Sequence, residues 1–256
     1  MWLYGVVSIA AAFPFGIVSW LHNSHQLGKP ALVAIVASAV VHVAYALILQ
    51  RGYCESDFSI VYPLARGTGP LFSIAGAIVF LSESPNIFGW SGIILIILGI
   101  FLISYGSNHP SASGILFKGV MWGCLSGVFI GLYTLIDGWA VKTLAMAPVL
   151  YYVLGLAVRT LILAPQALRK PQLLNLQWRE NKQYIIAVGL LSPLAYTLVL
   201  LAMTKAKLSY VAPIREVSML AGVFFGASLL QEAFTRVRLI GMFLMVAGVV
   251  FLAVAK

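Results

Sequence analysis

Val61-Tyr62-Pro63-Leu64-Ala65-Arg66-Gly67-Thr68-Gly69-Pro70 places one fixed positive charge, two prolines and two glycines in a segment that is otherwise largely apolar from Phe58 to Leu81. A charge in hydrocarbon costs from about 2.5 to about 17 kcal/mol, so Arg66 requires a partner or a water-filled cavity rather than lipid. Pro70 has no N–H to give the carbonyl of Arg66, and its ring presses on that turn. The stretch predicts a membrane helix that is opened where its charge sits.

The rest of the chain has the same character. Of 256 residues 61% are hydrophobic and 9% charged, and the mean hydropathy is +1.00. Soluble domains are about half apolar and about a quarter charged, so the chain reads as a polytopic membrane protein with the lipid bilayer as its solvent. Its net charge of +9 resides mainly in short segments between apolar runs, which is a topology signal. No basic face forms, so nucleic acid is excluded as a partner. Cys54 and Cys124 lie in different segments with no metal or redox spacing. The apolar run that follows Met1 has no Lys or Arg before it, which argues against a secretory leader.

A span of about 20 apolar residues fills a bilayer core of about 30 Å. Nine such spans are expected, at 2–21, 30–50, 59–81, 87–105, 115–139, 148–168, 184–203, 208–230 and 237–255. All are helical, because no segment shows the alternation of a barrel strand. A shift of 149 residues places Arg66 on Arg215, Glu83 on Glu232, Gly92 on Gly241 and Gly99 on Gly248. Ala44-Tyr45 meets Ala195-Tyr196 at a shift of 151. The chain is therefore expected to hold two copies of one unit, 1–106 with four helices and 115–256 with five, joined by a linker at 107–114. Five helix steps separate the two arginine helices, an odd number, so the copies run in opposite directions as an inverted repeat. No span precedes Met1 to match 115–139, and two readings stand: the first helix of the architecture is absent, or the chain starts late. On charge alone, eight basic residues against five favour a cytoplasmic N-terminal side.

Polar residues inside spans must be satisfied within the bundle and are the candidates for function. Arg66 and Arg215 lie equally deep in their copies. Asp137 and Glu216 are the acids expected within spans, each as a counter-charge or a proton carrier. Trp122, Ser126, Phe129, Tyr133 and Asp137 recur at helical spacing on one stripe, which suits either helix packing or a binding wall. His42 and Tyr45 share a face three residues apart, and Tyr196 is the repeat mate of Tyr45. Arg159 is placed either to pair with Asp137 or to reach the interface. Glu83 and Glu232 stand at helix ends and are expected to act as caps, and the repeated glycines to allow close helix approach. No metalloprotease, nucleophile-elbow or P-loop motif occurs. No metal site, cofactor, ATP use or enzymatic constellation is expected.

His42-Val43-Ala44-Tyr45, the Val61–Thr68 stretch, Tyr133-Thr134-Leu135-Ile136-Asp137-Gly138 and Ile214-Arg215-Glu216-Val217-Ser218 together resemble the EamA family of the drug/metabolite transporter superfamily. The resemblance covers essentially the whole chain. It implies an all-α carrier of the bacterial inner membrane with ten helices in two inverted five-helix repeats, of which about nine are present here, the family's first being missing. It also implies both termini in the cytoplasm for a full-length member, and hence a periplasmic N-terminus for a chain starting at the second helix, against the charge tally. The implied function is secondary-active export or exchange of small metabolites such as amino acids, by alternating access through a central cavity between the repeats. In that reading Arg66 and Arg215 orient an anionic group, and His42, Tyr45, Tyr62, Trp122, Tyr133 and Tyr196 contact the substrate. The alternatives are a flippase or carrier for a lipid-linked or phosphonate-type anion, and a non-transporting subunit that completes its bundle with another chain. The former reading is compatible with a monomer, the last requires a partner.

Overall fold

The computed structural model describes residues 2–23, 26–56, 58–105, 113–218, 220 and 236–255. Glu232, Met219 and most of the linker lie outside them. The described residues form nine helices: α1 (Trp2–Asn23), α2 (Lys29–Glu55), α3 (Phe58–Phe80), α4 (Ile87–Tyr105), α5 (Ser113–Lys142), α6 (Pro148–Leu168), α7 (Pro171–Lys205), α8 (Leu208–Arg215) and α9 (Arg236–Val254). No strand occurs among the described residues. Five helices are long and apolar enough to cross a bilayer, and shorter apolar stretches occupy Ile87–Ile103 and Leu239–Val254. Large apolar side chains such as Phe15, Val79, Phe80 and Phe243 are exposed, as expected of a surface solvated by lipid.

The chain divides into two compact units, Met1–Ala44 with Ile136–Lys205, and Tyr45–Leu135 with Ala206–Lys256. Each takes segments from both halves of the chain. In the first, α1 packs on α6 and α7 through small residues. A Cβ at Gly5 would sit 3.0 Å from Thr160 Oγ1, one at Gly16 2.9 Å from Val153, and one at Gly189 2.6 Å from Val7.

In the second unit two glycine devices set the spacing. On α5, Gly119, Gly123, Gly127 and Gly131 recur every fourth residue and form one face. Cβ atoms there would meet Ile60, Leu64, Thr68 and Phe72 of α3, in that order, at 2.9 Å or less. The two helices therefore run in the same direction, close enough that only glycine fits. On α4 and α9, a Cβ at Gly92 would lie 2.7 Å from the carbonyl oxygen of Gly248, and one at Gly99 2.6 Å from that of Gly241. The reciprocal contacts, Gly241 to Gly99 and Gly248 to Gly92, are both 2.7 Å. The contact is therefore reciprocal, each glycine meeting the backbone of the glycine opposite. Ile93, Ile96, Ile100 and Met245 are buried beside it.

Because the obstructing atoms include the Gly241 carbonyl oxygen and the Met245 nitrogen, Gly99→Val cannot be relieved by a rotamer change alone. Overpacking of this kind costs about 1–3 kcal/mol or more. Gly99→Val is expected to lower the apparent melting temperature of the purified protein in detergent, whereas substitution at Gly155, where a Cβ meets nothing within 4 Å, is expected to be tolerated.

Three local expectations change. α3 is helical throughout Phe58–Phe80, passing Pro63 and Pro70 without a break. Hydroxyls of Thr68 and Ser73 donate to the carbonyls of Leu64 (2.6 Å) and Gly69 (2.9 Å), and the glycine face of α5 packs along the helix past both prolines. The helix that ends at its charge is α8: it stops at Arg215, and Glu216 and Val217 donate backbone bonds to Pro213 and Ile214, three residues back. The basic segment before the 184–203 span is not a loop. It is the first part of α7, set off from the rest by non-helical geometry at Asn181 (φ −122°, ψ 17°).

Candidate functional site

The polar residues expected within spans gather into two clusters, one in each compact unit. In the second unit α3 supplies Arg66, and the end of α8 supplies Arg215 and Glu216. The Glu216 side chain is fully buried, and its two carboxylate oxygens are divided between the guanidiniums. Arg66 Nη1 donates to Oε2 at 3.0 Å, and Arg215 Nε to Oε1 at 3.2 Å. Arg215 also reaches the Thr134 hydroxyl of α5 at 3.4 Å. Its guanidinium carbon lies 5.9 Å from the Tyr133 ring centre and that of Arg66 5.4 Å from the Tyr62 ring centre, distances at which a cation is attracted to an aromatic face. Tyr45 packs on Tyr133 with ring centres 5.6 Å apart.

The position of this cluster is set from the far end of α8. Glu83, just beyond α3, accepts the backbone N–H groups of Leu208 (2.8 Å) and Ser209 (2.9 Å). A carboxylate on the orphan donors of a helix N-terminus is favoured by both hydrogen bonding and the helix dipole. Glu83 is thus the cap of α8, and it fixes the helix whose other end carries Arg215 and Glu216.

In the first unit Asp137 of α5 is fully buried. Ser38 Oγ of α2 and the Tyr151 hydroxyl of α6 donate to its Oδ1 at 2.5 and 2.6 Å, and the Tyr196 hydroxyl of α7 donates to Oδ2. His42 Nε2 stands 4.0 Å from Oδ2, and the His42 ring meets that of Tyr196 edge-on at 5.6 Å. Arg159 makes no ion pair with Asp137 among the described residues. Its guanidinium lies over the Tyr152 ring at 5.3 Å, and its Nε donates to the carbonyl of Gly155 at 3.3 Å.

Of the residues singled out from sequence, Arg66, Arg215, Glu216, Tyr62, Tyr45 and Tyr133 come together in one cluster, and Asp137, His42 and Tyr196 in the other. Trp122 joins neither. Its indole N–H donates to Glu55 Oε2 at 3.3 Å, beside Lys118 and Arg51, which also pair with Glu55. Ser38, Tyr151 and Thr134 are contributors that hydropathy hides. The available signals were the spacing of four between Ser38 and His42 and the position of Thr134 between two candidate residues. Glu216 is shared by both arginines. Among the described residues no group of three His, Cys, Asp or Glu side chains could hold a metal ion.

Comparison with known proteins agrees with this architecture. An uncharacterised protein of the archaeon Methanocaldococcus jannaschii is 38% identical over 73 residues, 28% of this chain and 53% of its own. The match thus spans about half of that relative. A solved chain described as "Crystal structure of protein" superposes with a TM-score of 0.71 at 12% identity, covering 100% of this chain and 89% of its own, which is a likeness of fold. The sequence profile of the EamA-like transporter family matches residues 1–105 and 117–254. The chain belongs to the EamA-like transporter family, a family of all-helical membrane transporters within the drug/metabolite transporter superfamily.

Proposed function

We propose that the chain is a secondary-active carrier of the bacterial inner membrane that exports or exchanges a small anionic metabolite such as an amino acid. Residues 1–106 and 115–256 form its two inverted repeats, and rocking of one against the other gives alternating access. The observation that supports an anionic substrate is the partly exposed Arg66 guanidinium, which pairs with Glu216 through one nitrogen. Arg66 commits one of its N–H donors to Glu216. A guanidinium carries five in a fixed fork, which leaves four for a ligand carboxylate. The Arg66 side chain is 31% exposed, against 13% for Arg215, so Arg66 is the group a substrate can reach. A phosphonate head matches the same fork, and that reading is kept as the second.

The test is counterflow in proteoliposomes with a mixture of isotope-labelled amino acids and alkylphosphonates. A hydrogen bond to a charged group contributes about 1.5–3 kcal/mol, so Arg66→Ala is expected to weaken uptake of the transported component by about tenfold to a hundredfold. Arg66→Lys keeps the charge, loses the fork and is expected to fall between. Transport by Arg66→Ala at the wild-type rate would remove Arg66 from the substrate path.

A further inference from the structure

The two intramembrane acids are held in unlike ways. Glu216 has a guanidinium on each oxygen, so its negative charge is matched and a proton would have to displace an arginine. Asp137 is held by three hydroxyls, and the neighbouring group that can exchange a proton with it at neutral pH is the His42 imidazole. We propose that His42 and Asp137 form the proton-carrying couple of this protein, an inference that rests on the transport function above.

The hydrogen-bond geometry determines where the proton sits. His42 Nδ1 is 2.9 Å from the carbonyl oxygen of Ser38. A carbonyl only accepts, so Nδ1 carries hydrogen. The Ser38 hydroxyl, 3.2 Å from Nδ1, has its own hydrogen directed to Asp137 at 2.5 Å, and it can also accept from Nδ1. In the neutral ring Nε2 is then the basic nitrogen, and it faces Asp137 Oδ2 at 4.0 Å. Two acceptors face each other, an arrangement that one added proton converts into attraction. The proton arrives on Nε2, giving imidazolium beside carboxylate. Transfer to Oδ2 gives neutral imidazole and carboxylic acid, and release restores the starting pair.

The other groups around the couple are fixed in type. Tyr151 and Tyr152 come from α6 with Arg159, whose cation lies over Tyr152, and Tyr196 comes from α7, 5.5 Å from the Tyr152 ring. Hydrogen bonds to an ionised carboxylate are about twice as strong as those to a neutral acceptor. Neutralising Asp137 therefore loosens its ties to Ser38 on α2, Tyr151 on α6 and Tyr196 on α7 together, which links the proton to helix position.

The experiment reads the protonation state directly. Infrared difference spectra of the reconstituted full chain, recorded against pH, are expected to show the carbonyl stretch of a protonated carboxylic acid. That band should be absent in Asp137→Asn, and its titration midpoint should be displaced in His42→Gln. In parallel, a pH gradient is expected to drive the labelled amino acid and alkylphosphonate mixture across vesicles containing wild type, with that drive lost in Asp137→Asn vesicles whose protein content and helical circular dichroism match wild type. Wild-type spectra without a band assignable to Asp137, a midpoint unmoved by His42→Gln, or an undiminished gradient response in Asp137→Asn would each overturn the couple. A titrating Asp137 band with no movement of any probe would instead overturn the transport reading.

Discussion

Glu216→Gln is expected to destabilise the protein by about 3–5 kcal/mol, because removing one partner of a buried ion pair leaves an uncompensated charge behind. Here one substitution strips the counter-charge from two guanidiniums, with side chains 31% and 13% exposed. Glutamine keeps the shape and one acceptor, so the loss reports charge rather than packing. Thermal unfolding in detergent should show a large drop for Glu216→Gln. The double variant Glu216→Gln with Arg215→Met should recover much of it, since exchanging buried ionic groups for apolar ones of similar volume is often neutral. Arg66 would then remain as a single cation beside Tyr62. A Glu216→Gln protein as stable as wild type would mean that the two arginines are solvated without the carboxylate, and the charge argument for an anionic substrate would lose its basis.

The helical membrane character was legible because hydropathy acts over long windows, and apolar runs of about 20 residues leave few alternatives to membrane helices. The helix interior at Pro70 was misjudged for a physical reason. A proline rule written for an isolated helix ignores a packed neighbour, here the glycine face of α5, along which α3 runs unbroken. The break at Arg215 has no proline at the position matching Pro70. Its i→i+3 bonds at Glu216 and Val217 are local geometry that composition does not encode. The glycine face at 119, 123, 127 and 131 was present in the sequence at a spacing that small residues at helix contacts commonly adopt.

At the candidate site, intramembrane charge found the arginines and acids, since each is costly unless matched. It could not say which acid met which base. Glu216 sits next to Arg215 in sequence, and the third dimension brings Arg66 to its other oxygen. For Arg159 the sequence left pairing with Asp137 and reaching the interface both open, and the guanidinium lies on Tyr152 while Asp137 collects hydroxyls. Hydroxyl donors such as Ser38 and Tyr151 carry no charge and little hydropathy signal, so they stay hidden until the helices are packed.

Asp137→Ala should therefore be among the most damaging single changes in the first compact unit, and more damaging than Asp137→Asn. Alanine leaves the hydroxyls of Ser38, Tyr151 and Tyr196 without their shared acceptor. Ser38 and Tyr151 are 5% and 3% exposed, too buried to turn to water. Each buried polar group left unmade costs about 1–3 kcal/mol, so even partial relaxation leaves an expected loss of at least about 3 kcal/mol. Asparagine keeps an acceptor oxygen for Ser38 and Tyr151. Its amide N–H₂ replaces Oδ2, and the Tyr196 hydroxyl can rotate from donor to acceptor. Melting curves should thus order wild type, Asp137→Asn and Asp137→Ala by falling stability, with the larger step at alanine. Adding Tyr151→Phe to Asp137→Ala should cost little more, while Tyr151→Phe alone in the wild type should cost about 1.5–3 kcal/mol, the amount expected for a hydrogen bond to a charged group. That non-additivity is the signature of residues acting through one shared contact. Purely additive losses would show that Asp137 and Tyr151 stabilise the fold independently, and the carboxylate would cease to be the point at which α2, α5, α6 and α7 are tied.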